Sequence, residues 1–130
     1  MFELATVLDD SFNAVVVINS PHLGDEVEEL AERLGSRHRG TIVGAAVHVP
    51  VEDAVRATAL FERTGATSLL AVGGGSAVGL AKSVARRTGA RIAAMPTTYA
   101  GSEMTSVWGE TVEGRKVTGR DPVCRPETVL

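Results

Sequence analysis

Gly73-Gly74-Gly75-Ser76 follows the apolar run Leu69 to Val72 and opens a stretch with helical spacing that starts at Ala77. A strand that hands three glycines to a helix N-terminus brings bare backbone amides up to a negative group. Glycine permits the tight turn and the close approach, and the first free N–H groups of the helix attract phosphate. A second string, Pro96-Thr97-Thr98-Tyr99-Ala100-Gly101-Ser102-Glu103-Met104-Thr105, begins where the next apolar run, Arg91 to Met95, stops. Adjacent hydroxyls on Thr97 and Thr98, at the C-terminal end of a parallel strand, could hold a ribose or a carboxamide. Together the two strings point to a dinucleotide site. Plainer readings stand beside this one: Ser76 as a helix cap, and the threonines as an ordinary polar loop. The glycine run is not the G-x-G-x-x-G fingerprint, because position 78 is Val, and it lacks the Lys-Ser/Thr ending of a P-loop.

Alternating strand and helix patterns must position these strings. Ala14-Val15-Val16-Val17-Ile18 is β-branched and wholly apolar, as a strand buried on both faces requires. Val27, Leu30, Ala31 and Leu34 recur at helical spacing behind Asp25, Glu26, Glu28 and Glu29, a solvated acidic face that suits the helix dipole, and Gly35 ends the run. Thr41 to Val47 reads as a weaker strand, and His48-Val49-Pro50 as a turn. Val51, Ala54, Val55 and Phe61 mark a second helix closed near Gly65. Ser68 to Val72 is the third strand. Ser76 can cap a third helix with an Ala77, Ala81, Val84 and Ala85 stripe, and Arg91 to Met95 is the fourth strand. This alternation predicts an α/β fold: an open, parallel, Rossmann-like sheet with helices on both faces. Val107 to Glu110 and Lys116 to Thr118, around the turn-like Val112-Glu113-Gly114-Arg115, predict a C-terminal β-hairpin. Glu127 to Leu130 reads as the start of a further strand.

Bulk properties agree. A chain of 130 residues is one domain, long enough to bury about two-thirds of its unfolded surface. Hydrophobic residues are 44% but aromatics only 4%, so the core is Val, Ala, Leu and Ile. The net charge of −3 comes without a basic stripe, which argues against nucleic acid as a partner. No apolar stretch reaches the roughly 20 residues of a membrane span, and the N-terminus has no basic signal region. A lone cysteine, Cys124, permits no intrachain disulfide and reads as an incidental thiol in a cytoplasmic protein.

The residues also match a family. Gly73-Gly74-Gly75-Ser76, Lys82, the Pro96 to Thr105 string and Gly114-Arg115-Lys116-Val117-Thr118-Gly119-Arg120-Asp121-Pro122 resemble the iron-containing (group III) alcohol dehydrogenases, most closely their maleylacetate reductase branch. Val47-His48-Val49-Pro50-Val51-Glu52 fits that branch too, as does Gly79, where many group III members have Asp. The resemblance runs from about Ala14 to Leu130. It implies a dehydroquinate synthase-like N-terminal domain that binds NAD or NADP. Carried over by position, the Gly74, Gly75 and Ser76 backbone would hold the pyrophosphate. Thr97 and Thr98 would face the nicotinamide, and Lys116 would reach phosphates or ribose rather than stand as a plain surface charge. Asn19 would lie by the adenosine ribose; an amide there repels no 2′-phosphate, so NAD and NADP both stand.

Members of the family continue into a helical domain that carries most of the substrate pocket and, where a metal is used, an Asp and three His. The chain is expected to lack that domain. His22, His38 and His48 form no ligand set, so no metal and no catalytic residue is assigned. The resemblance then implies NAD(P)H-dependent reduction of maleylacetate to 3-oxoadipate in aromatic-compound breakdown, with the isolated chain inactive. A separate helical domain or self-association would complete the cleft, because hydride transfer needs both reactants in a water-poor enclosure. The alternatives are another group III alcohol or aldehyde oxidoreductase and a non-catalytic binding or assembly module.

Overall fold

The computed structural model describes residues 8–9, 11–44, 48–97 and 101–130. Strands β1 (Val15–Asn19), β2 (His38–Val43), β3 (Ser68–Gly73), β4 (Arg91–Pro96) and β7 (Thr128–Val129) form one parallel sheet in the order β2-β1-β3-β4-β7. Helices α1 (Gly24–Leu34), α2 (Val51–Thr64) and α3 (Gly75–Thr88) connect them. Every residue of β1 and β3 is buried, because both faces are covered. Their side chains alternate between two cores. Val16, Ile18, Leu69 and Ala71 pack under α2 and α3, whereas Val15, Val17, Leu70 and Val72 pack under α1 with Val27, Leu30 and Leu34. The expected open parallel sheet with helices on both faces is therefore what forms.

Registry brings the ends of the central strands level. Asn19 pairs with Val72, Val72 with Met95, and Gly73 with Pro96. The glycine run after β3 and the string after β4 then begin at the same end of the sheet. α1 ends at Gly35 (φ 57°), whose amide returns to the Ala31 and Glu32 carbonyls; Gly65 and Gly89 end α2 and α3 in the left-handed helical region.

Several boundaries differ from the sequence expectation. The second strand occupies His38–Val43 rather than 41–47, of which 45–47 lie outside the described residues. It is the edge strand, half-buried and exposed by turns, and the left-handed Gly44 (φ 87°) closes it. Val55 is exposed, and the α2 core face is Ala54, Ala57, Thr58 and Phe61. Ser76 does not cap α3. Gly74 occupies the cap position, with no side-chain cap bond, and Ser76 sits inside the first turn.

β5 (Val107–Val112) and β6 (Arg115–Arg120) form the expected hairpin around Glu113 (φ 50°) and Gly114 (φ 77°), a two-residue loop with both residues left-handed. The hairpin is bolted to α3 by charge. The buried Glu110 carboxylate accepts from Arg87 Nη1 at 2.5 Å and Nη2 at 2.8 Å, and from Arg86 Nη2 at 3.1 Å. The Arg86 guanidinium also lies 3.9 Å over the Trp108 ring. Bonds from Arg87 hold the Glu110 carboxyl down to about 2, against the burial that would raise it. Because the folded value lies below the ordinary 4.5, this contribution is whole above pH 4.5 and fades as pH falls toward 2. Glu110→Gln is expected to lower unfolding free energy by about 2 kcal/mol at pH 7, with the difference shrinking at pH 3. Urea denaturation at the two pH values, with exposed Glu113→Gln as the near-neutral control, checks it.

Candidate functional site

The glycine run meets the hairpin across a cleft of about 750 Å³, within the usual range for small-molecule sites. α3 supplies one wall with Gly75, Ser76 and Gly79; Ser102, Thr105 and Val107 supply the next. Gly109, Lys116 and Thr118 face them from the hairpin, Trp108 lines the cleft beside them, and His48 and Val49 close the remaining side. Lys116 is the one lysine or arginine lining the cleft, and no carboxylate does so, among the described residues. Its side chain is exposed and its stem runs along Gly109, where a Cβ would come 3.3 Å from Lys116 Cε.

The local chain path explains why α3 opens here. Gly73 has φ 141°, and a Cβ on it would lie 2.2 Å from Ser20 Oγ, so no other residue fits. Its carbonyl accepts from the Thr97 amide at 2.9 Å, and the Val72 carbonyl from the Ser20 amide at 3.1 Å, stitching the ends of β1, β3 and β4 together. The amides of Ala77 and Val78 then turn back onto the Gly74 carbonyl at 3.1 and 3.3 Å to begin the helix. The first amides of an α-helix have no intrahelical acceptor and carry the positive end of its dipole. With Lys116 opposite and no carboxylate in the lining, this mouth favours an anion, and its glycine-rich edge suits a diphosphate.

Of the site residues read from the sequence, the structure brings Gly75, Ser76 and Lys116 into this cleft, with Gly74 immediately at its edge. Thr97 is exposed at the end of β4 and outside the lining; Thr98 lies outside the described residues. Asn19 is fully buried on the α1 side of the sheet, in a separate cavity of about 460 Å³ with Val27, Glu28, Glu32, His38 and Thr41. Its Nδ2 donates to the Ser20 carbonyl at 2.9 Å, while its Oδ1 has no partner. Strand alternation explains the separation: an odd-numbered position on β1 follows Val15 and Val17 away from α3. Among the described residues no group of His, Cys, Asp and Glu is placed to hold a metal ion. No helix among them is long and apolar enough to cross a membrane.

Two contributors were not assigned roles from the sequence. Lys82 is only 1% exposed, yet its Nζ donates to the Ser102 carbonyl (2.6 Å), the Val107 carbonyl (2.8 Å) and Thr105 Oγ1 (3.2 Å). Three acceptors in one segment make Lys82 the anchor that presses Ser102–Val107 against α3. Burial lowers the ammonium's pKa, partly offset by Cys124 and Glu103. Cys124 is itself buried, with Sγ on the Lys82 carbonyl at 3.4 Å and its thiol pushed up to about 11 by burial, which makes it inert. The second contributor is the His48–Val49 turn. Its only outward sign was the Val47-His48-Val49-Pro50 string, and nothing in those residue types signals a left-handed backbone.

Lys82→Met keeps the stem but strands two carbonyls and a hydroxyl. Hydrogen exchange is expected to rise about tenfold or more across residues 102–107, with the midpoint of thermal unfolding lowered. Cys124 is expected to react with a thiol reagent only on unfolding.

The iron-containing alcohol dehydrogenase family model matches residues 2–130. Maleylacetate reductase 2 of Cupriavidus pinatubonensis is 46% identical over 115 residues, which cover 88% of this chain and 32% of that protein. The crystal structure of a putative alcohol dehydrogenase from Ralstonia eutropha JMP134 superposes with a TM-score of 0.93 at 44% identity, over 98% of this chain and 36% of that one. Maleylacetate reductase from Agrobacterium tumefaciens gives 0.91 at 38%, over 98% and 37%. The chain spans about a third of the length of the curated relatives it matches, and the match lies in their N-terminal region. In sequence and fold the chain belongs to the iron-containing alcohol dehydrogenase family.

Proposed function

We propose that this chain is the nicotinamide dinucleotide-binding part of a maleylacetate reductase-like oxidoreductase. One observation carries the reading: the N-terminus of α3, flanked by glycines, opens into a cleft whose opposite wall presents Lys116 and whose lining has no carboxylate. That arrangement fits a diphosphate. The Gly74, Gly75 and Ser76 backbone would accept the pyrophosphate, and the Ser76 and Thr118 hydroxyls would reach its oxygens or a ribose. Lys116 would add a cation at the open edge. The names of the relatives supply the substrate class, maleylacetate, whose carbon–carbon double bond would be reduced to give 3-oxoadipate.

The dinucleotide, when bound, supplies the hydride. The chain's own residues would bind and orient: the α3 terminus would fix the diphosphate, while Lys82 holds the Ser102–Val107 wall against α3 and Trp108 lines the cleft beside the hairpin residues. Enclosing a substrate and excluding water fall to a further part of the protein or to a partner. Exposed Met104 and Val107, beside the cleft, give it an apolar rim on which to dock. Alone, the chain would bind nucleotide but turn over little substrate.

Trp108 is the sole tryptophan and lines the cleft, so its fluorescence reports occupancy directly. Titration with NADH and NADPH is expected to quench it with a Kd between about 1 μM and 1 mM. Gly75→Asp, which sets a carboxylate against the phosphate, should weaken binding beyond detection. Lys116→Met should weaken it by about threefold to tenfold, with less salt dependence. Failure of both nucleotides to bind would instead mark a module that uses the sheet for assembly.

A further inference from the structure

The side of the cleft that meets strand β5 of the hairpin is built from strained backbone. His48 (φ 65°) and Val49 (φ 40°) are both left-handed, and Val49 is β-branched, the side-chain type that least tolerates this region. Thr111 of β5 holds the turn from two directions. Its amide donates to the Val49 carbonyl at 2.9 Å and its Oγ1 to the His48 carbonyl at 2.6 Å. Pro50 continues the contact as a parallel bridge to the same residue. Val49 is thereby driven inward: it is 6% exposed, belongs to the core cluster under α2 and α3, and lines the cleft.

What it meets there is Gly79. A Cβ on Gly79 would come 3.0 Å from Val49 Cγ2, tighter than most carbon contacts, so Val49 would have to give way by a few tenths of an ångström. Gly79 has an ordinary helical backbone, so conformational freedom does not explain a glycine in the first half of α3, where it costs helix stability relative to alanine. The missing side chain does explain it. Val49 cannot back away, because its carbonyl is bonded to β5 and its side chain is enclosed by the core. Moving it moves β5, and with β5 the hairpin that carries Lys116.

We propose that Gly79 is a positioning residue of the cleft. Its bare Cα seats the strained His48–Val49 turn against α3, and this contact sets the spacing between the α3 N-terminus and the Lys116 wall. The inference rests on the nucleotide-binding reading and adds to it the residue pair that fixes cleft width.

The test is a two-residue cycle on the full chain: Gly79→Ala, Val49→Ala and the double variant. It is read by Trp108 quenching with NADH and by thermal unfolding. Gly79→Ala is expected to weaken NADH binding by about tenfold or more. Adding Val49→Ala should restore it to within about threefold of Val49→Ala alone. Unfolding should show a change of sign. Alanine at position 79 lowers the midpoint when Val49 is present and raises it when Val49 is alanine, because only helix propensity then remains. Equal effects of Gly79→Ala in both backgrounds, or unchanged NADH binding by Gly79→Ala, would overturn the proposal. A chain that binds no NADH at all would overturn the functional reading and the spacing role with it, while the unfolding cycle still decides whether Gly79 and Val49 are packed as described.

Discussion

Everything at the functional edge depends on how closely β1 and β3 end beside each other. Their last residues are stitched by backbone bonds, and the space where a side chain on Gly73 would go is already filled by Ser20. With that side chain absent, the chain can leave the sheet, turn through Gly74 and start α3 at once. The helix terminus is then held at the mouth of the sheet by the register of three paired strands rather than by a loop free to choose its position. Preorganised amides of this kind bind an anion without a further ordering cost. Any side chain at position 73 would have to displace Ser20, part the strand ends and tilt the helix away from the cleft.

A second layer of constraints works through α3. On one side Lys82 holds the Ser102–Val107 segment; on another Arg86 and Arg87 clamp Glu110 and thereby the hairpin; between them Gly79 admits Val49. A single helix therefore positions three walls of the cleft. This explains why it is so deeply buried, lysine included, and why burying a cation here is tolerated: each of its protons meets an acceptor.

Much of this was legible in the residues. β1 and β3 are continuous apolar runs, as strands covered on both faces must be; the glycine run marks the start of α3; and Glu113-Gly114 marks the hairpin turn. The edge strand was misplaced because Arg39 and Thr41 face solvent and dilute its pattern, whereas the apolar 45–47 stretch carries the stronger signal. Asn19 illustrates a different limit. Its position at a strand end was readable, but which face it serves depends on pairing registry, and the structure puts it in a cavity apart from Ser76 and Lys116. The buried role of Lys82 and the left-handed backbone of the expected His48–Val49 turn were opaque for a related reason. Neither a lysine nor a valine announces burial against carbonyls or a left-handed backbone; both are imposed by tertiary contacts.

The most direct measurement of the central claim is amide chemical-shift mapping of the chain during titration with NADH. The Gly74, Gly75 and Ser76 resonances are expected to move first and farthest, with Lys116 and Trp108 following. Perturbations centred on Asn19 and α1, or a spectrum that NADH leaves unchanged, would contradict that claim.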